Sequence, residues 1–240
     1  MIKCPKCSVE KHSPPSLESD NQISHFPGKT NYSDIEGFSK SIARYEGTQQ
    51  VKFPAHLIDV LDEYFIFKGY PSRRDITRLP LVGSIEGRRR RQGTNREIMM
   101  IALQETGYTD FYEDCNLLCN IIWGSELPDL SMIRERLFRD YEYSQPIFNQ
   151  VKGKRKSSLS ADYRLFRQLW HLGFPCHPLD FKIVRTPAII TYYEEVWEKM
   201  CNVIGQELGW KPFVRIEVLM KMDINTLKLP PQIYSELQDN

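Results

Sequence analysis

Residues 186–210, TPAIITYYEEVWEKMCNVIGQELGW, constrain the fold more than any other stretch. Ile189, Tyr193, Val196, Trp197, Met200, Ile204 and Leu208 recur at three- and four-residue steps. That spacing lays one apolar stripe along a helix, and the stripe must be buried against other elements. Thr186 suits the N-cap and Pro187 the first turn. Glu194, Glu195, Glu198, Lys199, Asn202 and Gln206 fall off the stripe and are expected in solvent. Gly209 can take the left-handed conformation that ends a helix, leaving Trp210 to fold back on the last turn. The stretch reads as a core helix of an α-helical domain, and periodicity alone names no function.

Other segments repeat the pattern. Ser33-Asp34-Ile35-Glu36 has the form of a capping box, followed by the stripe Ile35, Phe38, Ile42, Tyr45 and a stop at Gly47. A second helix is expected from Pro54 to Gly69, with Leu57, Ile58, Leu61, Tyr64 and Phe65 inward. Residues 70–93 carry Pro71, Pro80, Gly83, Gly87 and Gly93 and read as loops and turns. Thr94-Asn95-Arg96-Glu97 is another capping box, opening a helix to about Glu105. Further helices are expected over Asp110–Trp123, after Pro128-Asp129-Leu130-Ser131, and from Ser160 or Asp162 to Gly173. Residues 174–182 read as an extended connection, and 213–220 are the candidate for a strand. The prediction is a mainly α fold with about seven helices and at most a small sheet.

The 240 residues suffice for a proper core. No apolar run is long enough to span a membrane, and the N-terminus carries no apolar segment of a secretory kind. A location inside the cell is therefore expected, not secretion. Of the six cysteines, only Cys4 and Cys7 have ligand-type spacing, which fits a reducing compartment rather than a disulfide framework. Cys4-Pro5-Lys6-Cys7 is a CxxC knuckle that brings two thiolates to one cation, and zinc would need two further ligands. His12 and His25 are the next candidates. Two ordinary surface thiols are the alternative, and a second CxxC is absent. The resulting division is a zinc-knuckle segment at 1–12, extending to 25 if His25 is a ligand. A linker at 13–32, a helical domain at 33–213 and a tail at 214–240 follow. Cys115 and Cys119, one helical turn apart, also have a legal metal spacing, but small core residues explain them better.

The formal net charge is only +1, so binding to nucleic acid must rest on local patches. Residues 71–97 hold eight arginines against three carboxylates, and 151–168 hold six basic residues against one. Arg88, Arg89, Arg90 and Arg91 stand in a glycine-flanked loop, where they can lie along phosphates without contributing core packing. Lys152, Lys154, Arg155 and Lys156 form a second basic loop. Solvated surface charge is the alternative for both.

No catalytic constellation stands out. P-loop, GxGxxG, HExxH and GxSxG motifs are all absent. His171 and His177 flank Cys176, but sequence neighbours rarely reach nucleophile–base geometry. His171 lies near a helix end, where a cationic ring is favoured.

Three segments together resemble the poxvirus-late-transcription-factor-3 family of nucleocytoplasmic large DNA viruses. The first is Gly37–Glu46 followed by Phe53–Val60. The second is Gly107–Gly124, GYTDFYEDCNLLCNIIWG, followed by Leu127–Leu130. The third runs from Ile133 to Trp210. It includes Pro146-Ile147-Phe148, Lys154-Arg155-Lys156, Tyr163–Phe174, Val196–Cys201 and Glu207–Trp210. The resemblance covers about residues 33–213. It implies a non-enzymatic factor that directs late-gene transcription with a virus-encoded RNA polymerase and other viral transcription factors. Members begin with a zinc ribbon of two CxxC knuckles, and Cys4 and Cys7 match the first. The expected partners are polymerase and DNA, with no membrane and no small-molecule substrate. The expected location is the host cytoplasm, in the virus factory, or the virion. A virion structural or DNA-packaging protein and a metal-dependent nuclease are the alternatives.

Overall fold

The computed structural model describes residues 29–83, 89–154, 158–184 and 186–221, with side chains from residue 34 onward. Among these residues are eight α-helices: α1 Lys29–Glu46, α2 Leu57–Lys68, α3 Arg96–Glu105, α4 Cys115–Trp123, α5 Arg134–Val151, α6 Ala161–Leu172, α7 Pro187–Ile204 and the short α8 Ile216–Leu219. One antiparallel hairpin joins β1 Leu81–Gly83 to β2 Arg89–Arg91, with Val82 opposite Arg90. The mainly α expectation holds.

Local chemistry explains most boundaries. Gly173 follows α6 at φ 81°, and its N–H and that of Phe174 close the last turn on Trp170 and Leu169. A residue with a Cβ would be strained there. Ser160 is the N-cap of α6, its hydroxyl accepting from the Tyr163 N–H at 3.2 Å. At α3 the cap is Asn95 rather than Thr94: the Asn95 side chain accepts from the Ile98 N–H at 2.8 Å, while Thr94 Oγ1 donates to the Arg91 carbonyl. Helix α1 starts at Lys29, so Ser33 lies inside it and the end of the expected linker is helical. The stretch 110–123 divides into a 3-10 turn, Thr109–Asp114, and α4.

The apolar stripes meet in three clusters. Helices α2, α3 and α4 enclose Leu57, Leu61, Phe65, Met99, Leu103, Leu118 and Trp123. Helices α1, α5 and α6 enclose Phe38, Ile42, Leu137, Phe166 and Leu169. The third cluster joins Phe148 of α5 and Tyr163 of α6 to Tyr193, Trp197 and Met200 of α7, with Trp210 folded back as expected. Rings of Trp197 and Trp210 stack with centroids 5.4 Å apart.

Helix α6, not α7, is the centre. Its ten residues Tyr163–Leu172 are all buried, and it contributes to two of the three clusters. Arg164, Arg167, Gln168 and His171 are therefore inside, where a helix with a single apolar stripe would place them in water. Arg167 donates to Glu194 at 2.8 Å, to the Val214 carbonyl at 2.6 Å and to the Tyr163 hydroxyl at 3.1 Å. Glu194 also accepts from the Ile216 N–H at 2.6 Å. Glu194 is 4% exposed, against the expectation that it is solvated. Its pairing draws residues 214–219 onto the core, with Leu219 buried. That segment is the helical turn α8 instead of a strand, and the folded unit continues past residue 213.

Candidate nucleic-acid interface

The arginine row is a strand, which corrects the loop reading for residues 89–91. Its tether is Glu126. The Arg89 N–H donates to the Glu126 carboxylate at 2.8 Å, and the Arg89 carbonyl accepts from the Glu126 N–H at 2.9 Å. The Arg89 Nε donates to the same carboxylate at 2.6 Å. These bonds hold the Glu126 carboxyl below the usual carboxylate range. They also occupy the free edge of β2, which an unpaired strand would expose. Arg91 Nη1 donates to the Leu79 carbonyl at 3.0 Å. Arg89 and Arg91 thus hold the hairpin, and neutralising the whole row removes structure along with charge. Arg88 lies outside the described residues.

Arg90 and Arg96 line a cavity of about 70 Å³ between the hairpin, the start of α3 and α4, with Asn95, Asn116, Glu126 and Asp180 in its wall. Arg96, Asn116 and Asp180 also line a smaller cavity of about 20 Å³ that reaches Arg44, Asp162 and Lys182. In that second space Glu113 pairs with both Arg44 and Lys182, the latter at 3.1 Å. The Ser41 hydroxyl donates to Asp162. Burial, and next the charge of Glu113, push the Asp162 carboxyl up from its ordinary value. The two cavities form one polar cleft whose cations come from α1, β2, α3 and residue 182. Arg44, Arg96 and Lys182 were not in the row that the sequence singled out. The signal for Arg96 was its place at the head of a capped helix, directly after the row.

The second basic patch stands elsewhere. Lys152 Nζ lies 5.4 Å from the Phe148 ring centroid and donates to Asn149 Oδ1 at 2.9 Å. Lys154 is exposed, and Arg155 and Lys156 lie outside the described residues. Lys152 sits at the α5–α7 cluster and the arginines at the α2–α4 cluster, and no described contact joins them.

Cys4, Cys7, His12 and His25 also lie outside the described residues. Among the described residues no three His, Cys, Asp or Glu side chains are grouped as metal ligands. Cys115 and Cys119 are buried, and burial pushes the Cys115 thiol up to about 11 and the Cys119 thiol higher still. Such thiols are poor ligands and poor nucleophiles. His171 is also buried: its Nδ1 is 2.6 Å from the Lys211 carbonyl and its Nε2 accepts from Trp197 Nε1 at 2.9 Å. The carbonyl can only accept, so Nδ1 carries the proton and the ring is neutral. Burial, and next the charge of Arg167, lower its pKa to about 3. The expectation of a cationic ring at the helix end fails because the position is inside the core. His177 Nδ1 accepts from the Leu179 N–H at 3.2 Å, as the cap of a 3-10 turn. Both histidines serve structure in these contacts.

Relatives are found among proteins of large DNA viruses. The chain is 24% identical to "Putative transcription factor 282R" of Invertebrate iridescent virus 6, across 72% of this chain and 45% of that one. It is 29% identical to "Putative transcription factor A494R" of Paramecium bursaria Chlorella virus 1, across 45% of this chain and 30% of that protein. It is 24% identical to "Putative transcription factor 001R" of Frog virus 3, across 88% and 81%. The chain thus spans less than half the length of the first two. No solved structure matches. The family described as Poxvirus Late Transcription Factor VLTF3 like matches residues 26–211, a span that takes in every described helix from α1 to α7 and the arginine hairpin, and the chain belongs to that family.

Proposed function

We propose that this protein acts in viral late-gene transcription with a virus-encoded RNA polymerase and other viral transcription factors, contacts DNA through the arginine cleft, and catalyses no reaction. The observation that carries the reading is the family match over residues 26–211. The cleft supports it with cations at a partly open surface, and the basic residues Lys152, Lys154, Arg155 and Lys156 add a second place for phosphate contact. No helix among the described residues is long and apolar enough to cross a membrane. The setting proposed is the virus factory of the host cytoplasm, or the virion. The test is transcript profiling of infected cells depleted of the protein. Selective loss of late messages is expected. Intact late messages with defective particles would overturn the reading in favour of a packaging role, and metal-dependent cleavage of DNA by purified protein would overturn the non-enzymatic part.

Zinc belongs to the proposal as a separate part, supported by the CxxC spacing of Cys4 and Cys7, with His12 and His25 as the further ligands. The family match begins at residue 26, beyond all four. Metal analysis of purified protein should give one zinc per chain, lost in Cys4→Ser. Protein that is zinc-free as purified, or a Cys4→Ser variant that keeps its metal, would remove this part.

A further inference from the structure

Two of the cations in the larger cavity lack the counter-charge that several other arginines have. Arg167 has Glu194, Arg134 has Glu46, Arg136 has Asp140 and Arg89 has Glu126. Arg90 and Arg96 are each partly buried, and among the described residues no carboxylate pairs with either. The Arg96 Nε is buried without an acceptor. Its Nη1 has only the Met100 sulfur at 3.2 Å and the Leu179 carbonyl at 3.4 Å. A guanidinium offers five donors, so several remain unused. Both side chains line the same cavity, with Cys119 in its wall. Asn95 and Arg96, the cap and first residue of α3, bring the positive end of a ten-residue helix to the same space.

We propose that this cavity seats one backbone phosphate of a nucleic acid, held between the guanidinium groups of Arg90 and Arg96. The proposal rests on the transcription reading above. The volume, about 70 Å³, is several times what a water requires and accommodates a single tetrahedral oxyanion. Arginine forks match its oxygens in bidentate pairs. Asp180 and Glu126 also stand in the wall: the Asp180 carboxylate accepts from the His177 N–H at 3.1 Å and Glu126 is paired with Arg89, so three cations face two carboxylates. The seat is single because the other cations are engaged: Arg89, which lines the same cavity, by Glu126, and Arg44 and Lys182 of the smaller cavity by Glu113. Those neighbours are exposed, Arg89 by 64% and Lys182 by 56% of the side chain; Arg89 lines the same cavity and Lys182 the adjoining smaller one. Exposed pairs exchange partners at little cost. They suit a strand with phosphates beyond the seated one. A phosphorylated side chain has one phosphate and would leave these neighbours unused.

The test is a titration of the full chain with inorganic phosphate, followed by the arginine Nε–H resonances in ¹H–¹⁵N spectra. Saturable shifts at Arg90 and Arg96 are expected, with a dissociation constant on the order of millimolar for so small an ion. Arg90→Gln should weaken binding at least about tenfold, the size of one lost charge-assisted hydrogen bond. Arg90 makes no side-chain hydrogen bond among the described residues, so this variant should keep its fold. Lys199→Gln, which removes an exposed charge on α7, is the control for net charge and should change nothing. A duplex oligonucleotide should displace phosphate from the same resonances and bind Arg90→Gln more weakly. Absence of saturable shifts, or equal phosphate affinity in Arg90→Gln, overturns the seat. Phosphate binding that the oligonucleotide does not displace overturns its assignment to nucleic acid. Each of these results leaves the depletion experiment to judge transcription separately.

Discussion

Glu194→Ala is expected to lower the unfolding free energy by about 3–5 kcal/mol, the cost of leaving a buried charge without its partner. Arg167 is 0% exposed and Glu194 4%, so water cannot replace the lost carboxylate. The pair does more than neutralise charge. Glu194 accepts from Arg167 at 2.8 Å and from the Ile216 N–H at 2.6 Å, and Arg167 also holds the Val214 carbonyl. One truncation therefore strands a guanidinium and a backbone N–H together, and loosens the attachment of residues 214–219. Urea denaturation followed by circular dichroism measures the change. Replacing both partners, as Arg167→Met with Glu194→Leu, should recover much of the loss, because the desolvation cost disappears with the charges. A single variant as stable as the parent would mean that the pair is open to water.

Stability should fall as pH falls below about 6.5, and His171 should be a large part of the reason. In the fold, burial and the nearby Arg167 depress its pKa from 6.5 to about 3. The unfolded ring has no such penalty. Between these two values the unfolded chain binds a proton that the native chain refuses. Unfolding therefore gains on folding as acid is added, by up to about 1.4 kcal/mol per pH unit for one fully separated group. The contribution is complete above 6.5 and is exhausted near pH 3. Asp140 and Asp162 work the other way: burial raises both carboxyl groups, so they take up protons in the native state first. The histidine term is isolated by comparison with His171→Asn, whose amide can still donate toward the Lys211 carbonyl. The variant should be less stable at pH 7 and close the gap with the parent as pH falls to 4.5. A gap independent of pH between 6.5 and 4.5 would show that the ring titrates equally in both states.

Much of the secondary structure was legible because it depends on neighbours within a turn or two. The stripe from Tyr193 to Ile204 predicted which face of α7 is buried; Leu208, expected on the same helix, is buried in the turn beyond its end, and Trp210 folds back past Gly209 as its position implied. Capping chemistry located α3 to within a residue, and the glycine after α6 ended it. Less of the candidate site was legible. The run of arginines was visible, but its state as a strand was not, because the residue that holds its edge, Glu126, is 37 positions away from Arg89. Cysteines one turn apart looked the same on paper whether they faced solvent, a metal or a core.

What the sequence determined alone, then, is the set of amphipathic helices, several of their ends and the positions of the charge clusters, since all follow from short-range spacing; α7 stops at Ile204 rather than at Gly209, and α1 begins at Lys29 rather than at Ser33. The tertiary structure decided which helix has no solvent face. On α6 the apolar residues Leu165, Phe166, Leu169 and Trp170 share the helix with Arg164, Arg167, Gln168 and His171, and spacing assigns the polar set to water. Packing between two hydrophobic clusters buries them all instead. They tolerate it because acceptors arrive from distant segments: Glu194 and the carbonyls of Val214 and Lys211 from the C-terminal half, and Ser144 and Gln145 from α5. A polar side chain is stable in a core only when its partners are present, and those partners come together only through the fold.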